Sequence, residues 1–126
     1  MILIIGGAYQ GKLDYALERF ALTEDDVCRC SDDRADAPER RKIVYEFDKW
    51  ILALLKASRD VPEAVRLFMD DHADVVVICN DISCGVVPID PLMRSWREAV
   101  GRALAEMSRA SDEVVRLYCG IPTRIK

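Results

Sequence analysis

An α/β fold on a mostly parallel sheet, formed as one domain, is what this chain of 126 residues predicts, and three observations carry the prediction. Short apolar runs rich in β-branched residues alternate with amphipathic helical runs, the order that places crossover helices between parallel strands. One run, Asp74–Cys79 (DVVVIC), is apolar without alternation, as a strand buried on both faces must be. The chain also opens MILIIGGAYQGKL, in which an apolar run is followed by Gly6, four residues, Gly11 and Lys12. That strand, glycine-rich loop and lysine form the order of a phosphate-binding loop.

Each element follows from local chemistry. Met1–Ile5 is a buried strand that delivers the loop to the edge of the sheet. Lys12–Phe20 reads as a helix, because Leu13, Ala16, Leu17 and Phe20 recur at helical spacing. Thr23–Lys42 is polar, contains Pro38 and lacks periodicity, so a loop is expected, with only Val27, Cys28 and Cys30 able to form a short strand. Ile43–Ala57 is apolar on one face through Phe47, Trp50, Ile51, Leu54 and Leu55; Ile43–Tyr45 either opens this helix or finishes a strand before it. Asp60 caps the next helix, with Pro62 in the first turn and Glu63 three residues after the cap; Val65, Phe68 and Met69 supply its buried face. Asn80–Pro91 is a loop with Gly85, Pro88 and Pro91. Pro91–Ala110 is the longest helix, with an apolar stripe from Leu92 to Met107 and an opposed ladder of Arg94, Glu98, Arg102 and Glu106. Glu113–Cys119 is the last strand, before Gly120, Ile121, Pro122 and a basic tail.

The bulk properties exclude several functions. A net charge of −4 and a pI near 5.0 argue against a nucleic-acid partner, which needs a basic face. No apolar run is long enough to span a membrane, and the opening lacks the charged start and cleavage site of a secretory signal. A cytoplasmic location is expected. Five cysteines, an odd number, are read as reduced thiols; Cys28 and Cys30 are spaced too closely for a zinc knuckle, while Cys79 and Cys119 lie in apolar runs and are expected to fill the core.

In an α/β sheet, ligands sit beyond the carboxyl ends of the strands, which puts Gly6–Lys12, the loop after Cys79 and the residues after Cys119 along one rim. Main-chain amides of Gly6, Gly7, Ala8, Tyr9, Gln10, Gly11, Lys12 and Leu13 are the expected cradle for a nucleotide's phosphates. Lys12 adds a point charge on the outer phosphates. The next residue should carry a hydroxyl to hold Mg²⁺, and here it is Leu13.

Two blocks carry a family resemblance. IIGGAYQGKLDYALE is similar to the opening of the bifunctional cobinamide kinase/cobinamide-phosphate guanylyltransferase family, which reads like GGARSGKS followed by a helix. The stretch from VVVICNDISCGVVP to the end resembles that family's apolar strand with T-N-E, glycine loop with V-P, RxFRDxxGRxNQxxA helix, A-DEV strand and G-x-P-x-x-x-K close. Asn80, Gly85, Val87, Pro88, Arg97, Gly101, Asp112, Glu113, Val114, Gly120 and Lys126 fall on those positions. The resemblance implies a P-loop NTPase-like α/β fold assembled as a trimer or larger homo-oligomer. It also implies two reactions of adenosylcobalamin assembly. One phosphorylates the aminopropanol hydroxyl of adenosylcobinamide with ATP or GTP; the other transfers GMP from GTP onto that phosphate through a guanylylated histidine.

The departures set the functional expectation. Members of that family are longer, and the missing length falls between the first helix and about Trp50. It includes the segment resembling H-x-x-x-R-P-x-x-W-x-T-x-E. The single histidine, His72, stands outside any such motif and reads as a solvated residue at a helix end. Guanylyl transfer needs an imidazole nucleophile, so that half-reaction is expected to be lost. Tyr9 and Gln10 replace the Arg-Ser pair of the family's loop. Asp81, at the T-N-E glutamate position, is expected to hold Mg²⁺ or orient the acceptor, or else to cap loop amides. Glu46 corresponds to an acid after the second core strand and is the other candidate for Mg²⁺, or a solvated helix residue. Arg124 and Lys126 either reach a phosphate or are solvated. Trp50 and Trp96 belong to the core or to subunit faces. The expected activity is that of an NTP-dependent kinase of adenosylcobinamide; the alternative is a catalytically degenerate nucleotide- or corrinoid-binding module.

Overall fold

The unbroken apolar strand expected from DVVVIC lies inside a six-stranded sheet. In the computed structural model, which describes residues Met1–Lys126, the strands are β1 (Ile2–Gly6), β2 (Val27–Arg29), β3 (Ile43–Tyr45), β4 (Val76–Asn80), β5 (Glu113–Tyr118) and β6 (Ile121–Arg124). They stand in the order β2-β3-β4-β1-β5-β6. All neighbours are parallel except β5 and β6. The helices are α1 (Lys12–Arg19), α2 (Phe47–Lys56), α3 (Val61–Asp71) and α4 (Pro91–Ala110). None is long and apolar enough to cross a membrane. The family-implied P-loop-like α/β architecture is therefore the one observed.

Side-chain alternation divides the core into two layers. Leu3, Val77, Cys79 and Val114 point toward α2, α3 and α4, where Phe47, Trp50, Ile51, Val65, Phe68 and Met107 complete the larger cluster. Ile4, Val76, Ile78, Val115 and Leu117 point the other way, onto Ala16 of α1. Burial of β4 on both faces follows directly from its position between β3 and β1. Phe47, Trp50 and Phe68 pack ring on ring, with centroids 4.9 to 5.6 Å apart. Trp50 is thus a core residue, not a subunit-face one, and its indole nitrogen donates to the Ala35 carbonyl at 3.3 Å.

The cap expected at Asp60 is observed, and the structure adds one at Asp90. The Asp60 carboxylate accepts from the Glu63 amide at 3.1 Å, and Asp90 accepts from Leu92 at 2.8 Å, each with a proline in the first turn. The choice left open at Ile43–Tyr45 resolves as a strand, and the helix starts only at Phe47.

Two expectations fail at the carboxyl end. The basic tail is an edge strand, joined to β5 by a two-residue turn in which Cys119 (φ 52) and Gly120 (φ 74) are both left-handed. This is the backbone of a type I′ hairpin. Cys119 is accordingly exposed and not a core residue. Lys126 turns back to donate to the Ser108 and Arg109 carbonyls at the end of α4, at 3.0 and 2.8 Å. Because β6 runs antiparallel, Arg124 and Lys126 lie at the amino-terminal edge of the sheet. Neither reaches a phosphate held at the opposite rim.

Candidate functional site

The register fixes where the glycine loop emerges. Gly6 ends β1 opposite Asn80 of β4 and Leu117 of β5, so the loop rises between two central strands at the carboxyl edge. Gly6 has φ +155, and a Cβ there would lie 2.5 Å from the Leu117 carbonyl oxygen. Only glycine fits that crossing. Tyr9 (φ 59) and Gly11 (φ 82) then take left-handed conformations, the backbone from which anion-binding nests are built. Gly11 precedes α1 without any side-chain cap, so the helix's first amides keep their hydrogen-bonding capacity for an anion. The Gln10 side chain accepts from the Cys119 amide and ties the loop to the β5–β6 turn.

Lys12 is buried, and its ammonium donates to the Gly7 carbonyl inside the loop. Burial lowers its pKa, and the nearby Asp48 and Glu46 carboxylates pull partly the other way. Leu13 does not plug the loop: it is half-buried against the α1-side cluster built on Ile4 and Ala16. Tyr9 projects fully into solvent at the rim. The cleft above these residues has a volume of about 690 Å³, and its walls include Lys12, Glu46, Asp48, Asn80, Asp81 and Trp96.

Asp81 is beside the loop, with its amide donating to the Gly6 carbonyl at 2.9 Å. Its carboxylate faces its own turn. Oδ1 accepts from the Ser83 amide at 3.0 Å and the Ser83 hydroxyl at 2.5 Å, and Oδ2 from the Cys84 thiol at 3.4 Å. Burial opposes its charge, but the Ser83 and Cys84 hydrogen bonds and Arg116 outweigh it and keep the carboxyl below its ordinary value. Glu46 stands at the start of α2 in a left-handed conformation and pairs with Lys49 at 2.9 Å.

The acid that sequence reasoning missed is Asp48. It sits in the first turn of α2 and is only 2% exposed. Its carboxylate accepts from the Asn80 amide at 3.1 Å and from the Asn80 side chain at 3.4 Å. Its own carbonyl accepts from the Trp96 indole at 2.7 Å. Burial raises its pKa, the Asn80 hydrogen bonds offset part of that rise, and Glu46 adds to it. Asp48 therefore joins α2, β4 and α4 beneath the loop, and its field acts on Lys12 more strongly than that of any other acid. Its signal was available as a lone acid in the apolar run FDKWILALL.

His72 lies elsewhere. It follows α3 just before β4, at the sheet edge opposite the loop. The ring is buried, stacks on Phe68 at 4.2 Å, and shares a hydrogen bond between Nδ1 and the Phe68 carbonyl at 3.1 Å. The expectation of a solvated histidine is corrected: the neighbouring Phe68 draws it into the core. An open, highly charged trough of about 770 Å³ borders this end, but it has no amide cradle.

A divalent cation would find hard oxygen donors here, though no ready-made cage: no three His, Cys, Asp or Glu side chains converge on one point. That suits Mg²⁺, which keeps several waters and needs only one or two carboxylates plus a ligand's phosphates.

Fold and loop together define a P-loop-type α/β protein whose glycine loop emerges at the sheet's central switch point. The model of the family described as cobinamide kinase / cobinamide phosphate guanyltransferase matches residues 41–125, about two thirds of the chain. The chain belongs to that family. It is similar to the bifunctional adenosylcobalamin biosynthesis protein CobU of Salmonella typhimurium, 37% identical over 54 residues, and to that of Escherichia coli, 35% identical over 54 residues. Each match covers 43% of this chain and 30% of the relative, so the aligned stretch spans under a third of those proteins' length.

Proposed function

We propose that this chain is a shortened, single-domain P-loop protein of adenosylcobalamin biosynthesis that phosphorylates adenosylcobinamide with ATP or GTP. The observation that carries the reading is the open glycine loop with Lys12 buried inside it, at the end of a central strand. Phosphoryl transfer asks a protein mainly for positioning and charge neutralisation. Amides from Gly6 to Leu13 would cradle the phosphates, and Lys12 would stabilise the γ-phosphoryl group in flight. The acceptor hydroxyl oxygen forms the new bond to phosphorus, the bond to the β-phosphate oxygen breaks, and the hydroxyl proton leaves to Asp81 or to water. Mg²⁺ would neutralise the phosphate oxygens, with Asp81 and Glu46 proposed to hold its water shell on release from their Ser83, Cys84 and Lys49 partners. Guanylyl transfer is absent from the proposal, because His72 is buried across the sheet from the loop. A cytoplasmic homo-oligomer, a trimer by family resemblance, is part of the same reading.

Two observations favour a second reading, a binding module without turnover. Leu13 supplies no hydroxyl, and the Asp81 carboxylate is already engaged by Ser83 and Cys84. The test is Mg²⁺-dependent phosphorylation of cobinamide by ATP and by GTP, in the wild type and in Lys12→Ala. The kinase reading expects turnover that Lys12→Ala reduces at least about a hundredfold, the scale of losing one preorganised charge stabiliser. Turnover unchanged by the substitution would refute it. Calorimetric binding of nucleotide without turnover would establish the module instead.

A further inference from the structure

We infer that the outer flank of α4 carries a second anion site, suited to a phosphate monoester on a small apolar body and separate from the glycine-loop cleft. The inference stands whether or not the loop takes a nucleotide. A cavity of about 400 Å³ lies between α4 and the loop that leads into it, walled by Ser83, Val87, Arg94, Arg97, Gly101 and the Glu98–Arg102 pair. None of these residues lines the cleft above Lys12. Arg94 and Arg97, three residues apart on α4, line this cavity together, and each bonds only to a main-chain carbonyl. Glu98, the one acid on the wall, is taken by Arg102 at 2.5 Å. In a chain of net charge −4, two neighbouring guanidinium groups are thus left without a carboxylate.

The loop's main chain holds both side chains in place. Arg97 Nε donates to the Ser83 carbonyl at 2.9 Å, and Arg94 Nη1 donates to the Ile89 carbonyl at 3.0 Å. A ligand therefore does not have to immobilise two long side chains, which is a large part of the usual cost of binding. Most of the donors stay unused, because each guanidinium has five N–H groups. Arg97 Nη1 is closed to solvent and meets no acceptor. A buried donor in that state is costly until an acceptor reaches it, and a charged donor bonds most strongly to a charged acceptor. The two like charges also repel one another, with less screening than in bulk water. A dianionic phosphate relieves both conditions: its oxygens match a guanidinium fork, and its charge matches the pair. A carboxylate brings half that charge. The remaining wall sets the shape of the ligand. Val87 and the bare Gly101 give an apolar side, and Val86 and Ile89 of the same loop are almost fully exposed. They offer contact to an apolar body carried by the phosphate.

The probe is phenyl phosphate, with benzoate and inorganic phosphate as comparisons. Each is titrated into the full chain while a proton–nitrogen correlation spectrum follows the Nε–Hε signals of Arg94 and Arg97. Those signals are identified by their disappearance in Arg94→Gln and Arg97→Gln. Amide signals of Gly6, Gly7 and Gly11 report the glycine loop separately in the same spectra. In the wild type, phenyl phosphate should shift both arginine signals saturably. Benzoate should bind there at least about tenfold more weakly, the scale of one hydrogen bond to a charged group. Inorganic phosphate should also bind more weakly, by several-fold or so, because it lacks the apolar body. Arg94→Gln, a change at an exposed position, should weaken phenyl phosphate at least about tenfold at the Arg97 signal. Arginine signals that stay still while the glycine-loop amides move would overturn the inference and leave the reading of the loop standing. Benzoate or inorganic phosphate binding as tightly as phenyl phosphate would overturn it too, and so would an Arg94→Gln variant of unchanged affinity. The wild-type titrations decide the question even if a variant does not fold.

Discussion

Gly6→Ala isolates the geometry that brings the loop to the rim. A Cβ at Gly6 would sit 2.5 Å from the Leu117 carbonyl oxygen, and the backbone there has φ +155. The obstructing atom is main chain in a central strand, hydrogen-bonded in register with β1, so it has no rotamer by which to retreat. Backbone strain of this kind costs about 1–3 kcal/mol. Forcing a methyl against packed atoms costs a further 1–3 kcal/mol or so. The sum is roughly 2–6 kcal/mol, against a total stability of about 6–19 kcal/mol for a chain of this length. The variant should fold, with its urea midpoint lowered by roughly 1–4 M for an m-value near 1.5 kcal/mol/M. Gly7→Ala is the control, since the nearest atom to a Cβ there is the Gln10 Cγ at 3.7 Å, an ordinary contact. Far-UV circular dichroism through a urea titration reads both. A Gly6→Ala unfolding free energy within about 0.5 kcal/mol of that of Gly7→Ala would refute a glycine requirement at the β1–β5 crossing.

Other outcomes follow from the packing and the charges. Phe47→Ala removes a fully buried ring from the Phe47–Trp50–Phe68 cluster and should cost about 3–5 kcal/mol, read by the same titration; a loss below 1 kcal/mol would mean the cluster collapses without strain. Glu113 binds Arg19 at 2.6 and 2.9 Å, and that pairing holds its carboxyl below the ordinary glutamate value. Its contribution is therefore complete above the ordinary glutamate range and fades as pH falls through the lowered folded value. Glu113→Gln should lower thermal stability at neutral pH by no more than about 1 kcal/mol, because the pair is partly solvated, and converge with the wild type in acid. A gap that widens on acidification would contradict the sign.

Helices and strands driven by their own periodicity were legible before any coordinates. Pro91–Ala110 is found with the bounds read from sequence, because Pro91 and the apolar stripe both speak locally. The edge strand β6 was not legible. All four of its residues are exposed, so it leaves no burial pattern, and its only trace was the Cys119–Gly120 turn. Burial of Trp50 depends on Phe68 arriving from another helix, which no single window contains, whereas the Phe68–His72 stack is local, four residues apart, and apolar periodicity alone does not credit a histidine to the core. The loop was legible because backbone demands glycine at fixed offsets. Asp48 escaped for the opposite reason: an amphipathic reading credits only apolar residues to the buried face. What satisfies this carboxylate is Asn80, 32 positions further along the chain.

The family-matched stretch and the glycine loop are separate in sequence. The matched family stretch begins at residue 41, whereas the glycine loop precedes it, so the loop's reading stands on backbone geometry alone. They meet at the end of β4. Asn80 faces Gly6 in the parallel register, and the Asp81 amide closes on the Gly6 carbonyl at 2.9 Å. The family-matched strand thus holds the base of the loop, and the same Asn80 holds Asp48. A substitution that removes the Asn80 side chain while keeping its backbone, Asn80→Ala, leaves the Gly6 register intact but strips one of two donors from Asp48. Because a buried carboxylate short of donors is costly, that change should destabilise the chain by about 1–3 kcal/mol. Restoring the neutral amide at position 48 with Asp48→Asn should recover part of the loss. If the double variant were no more stable than Asn80→Ala alone, Asp48 would not be carrying its charge in the folded chain, and the electrostatic account of the cleft would fail with it.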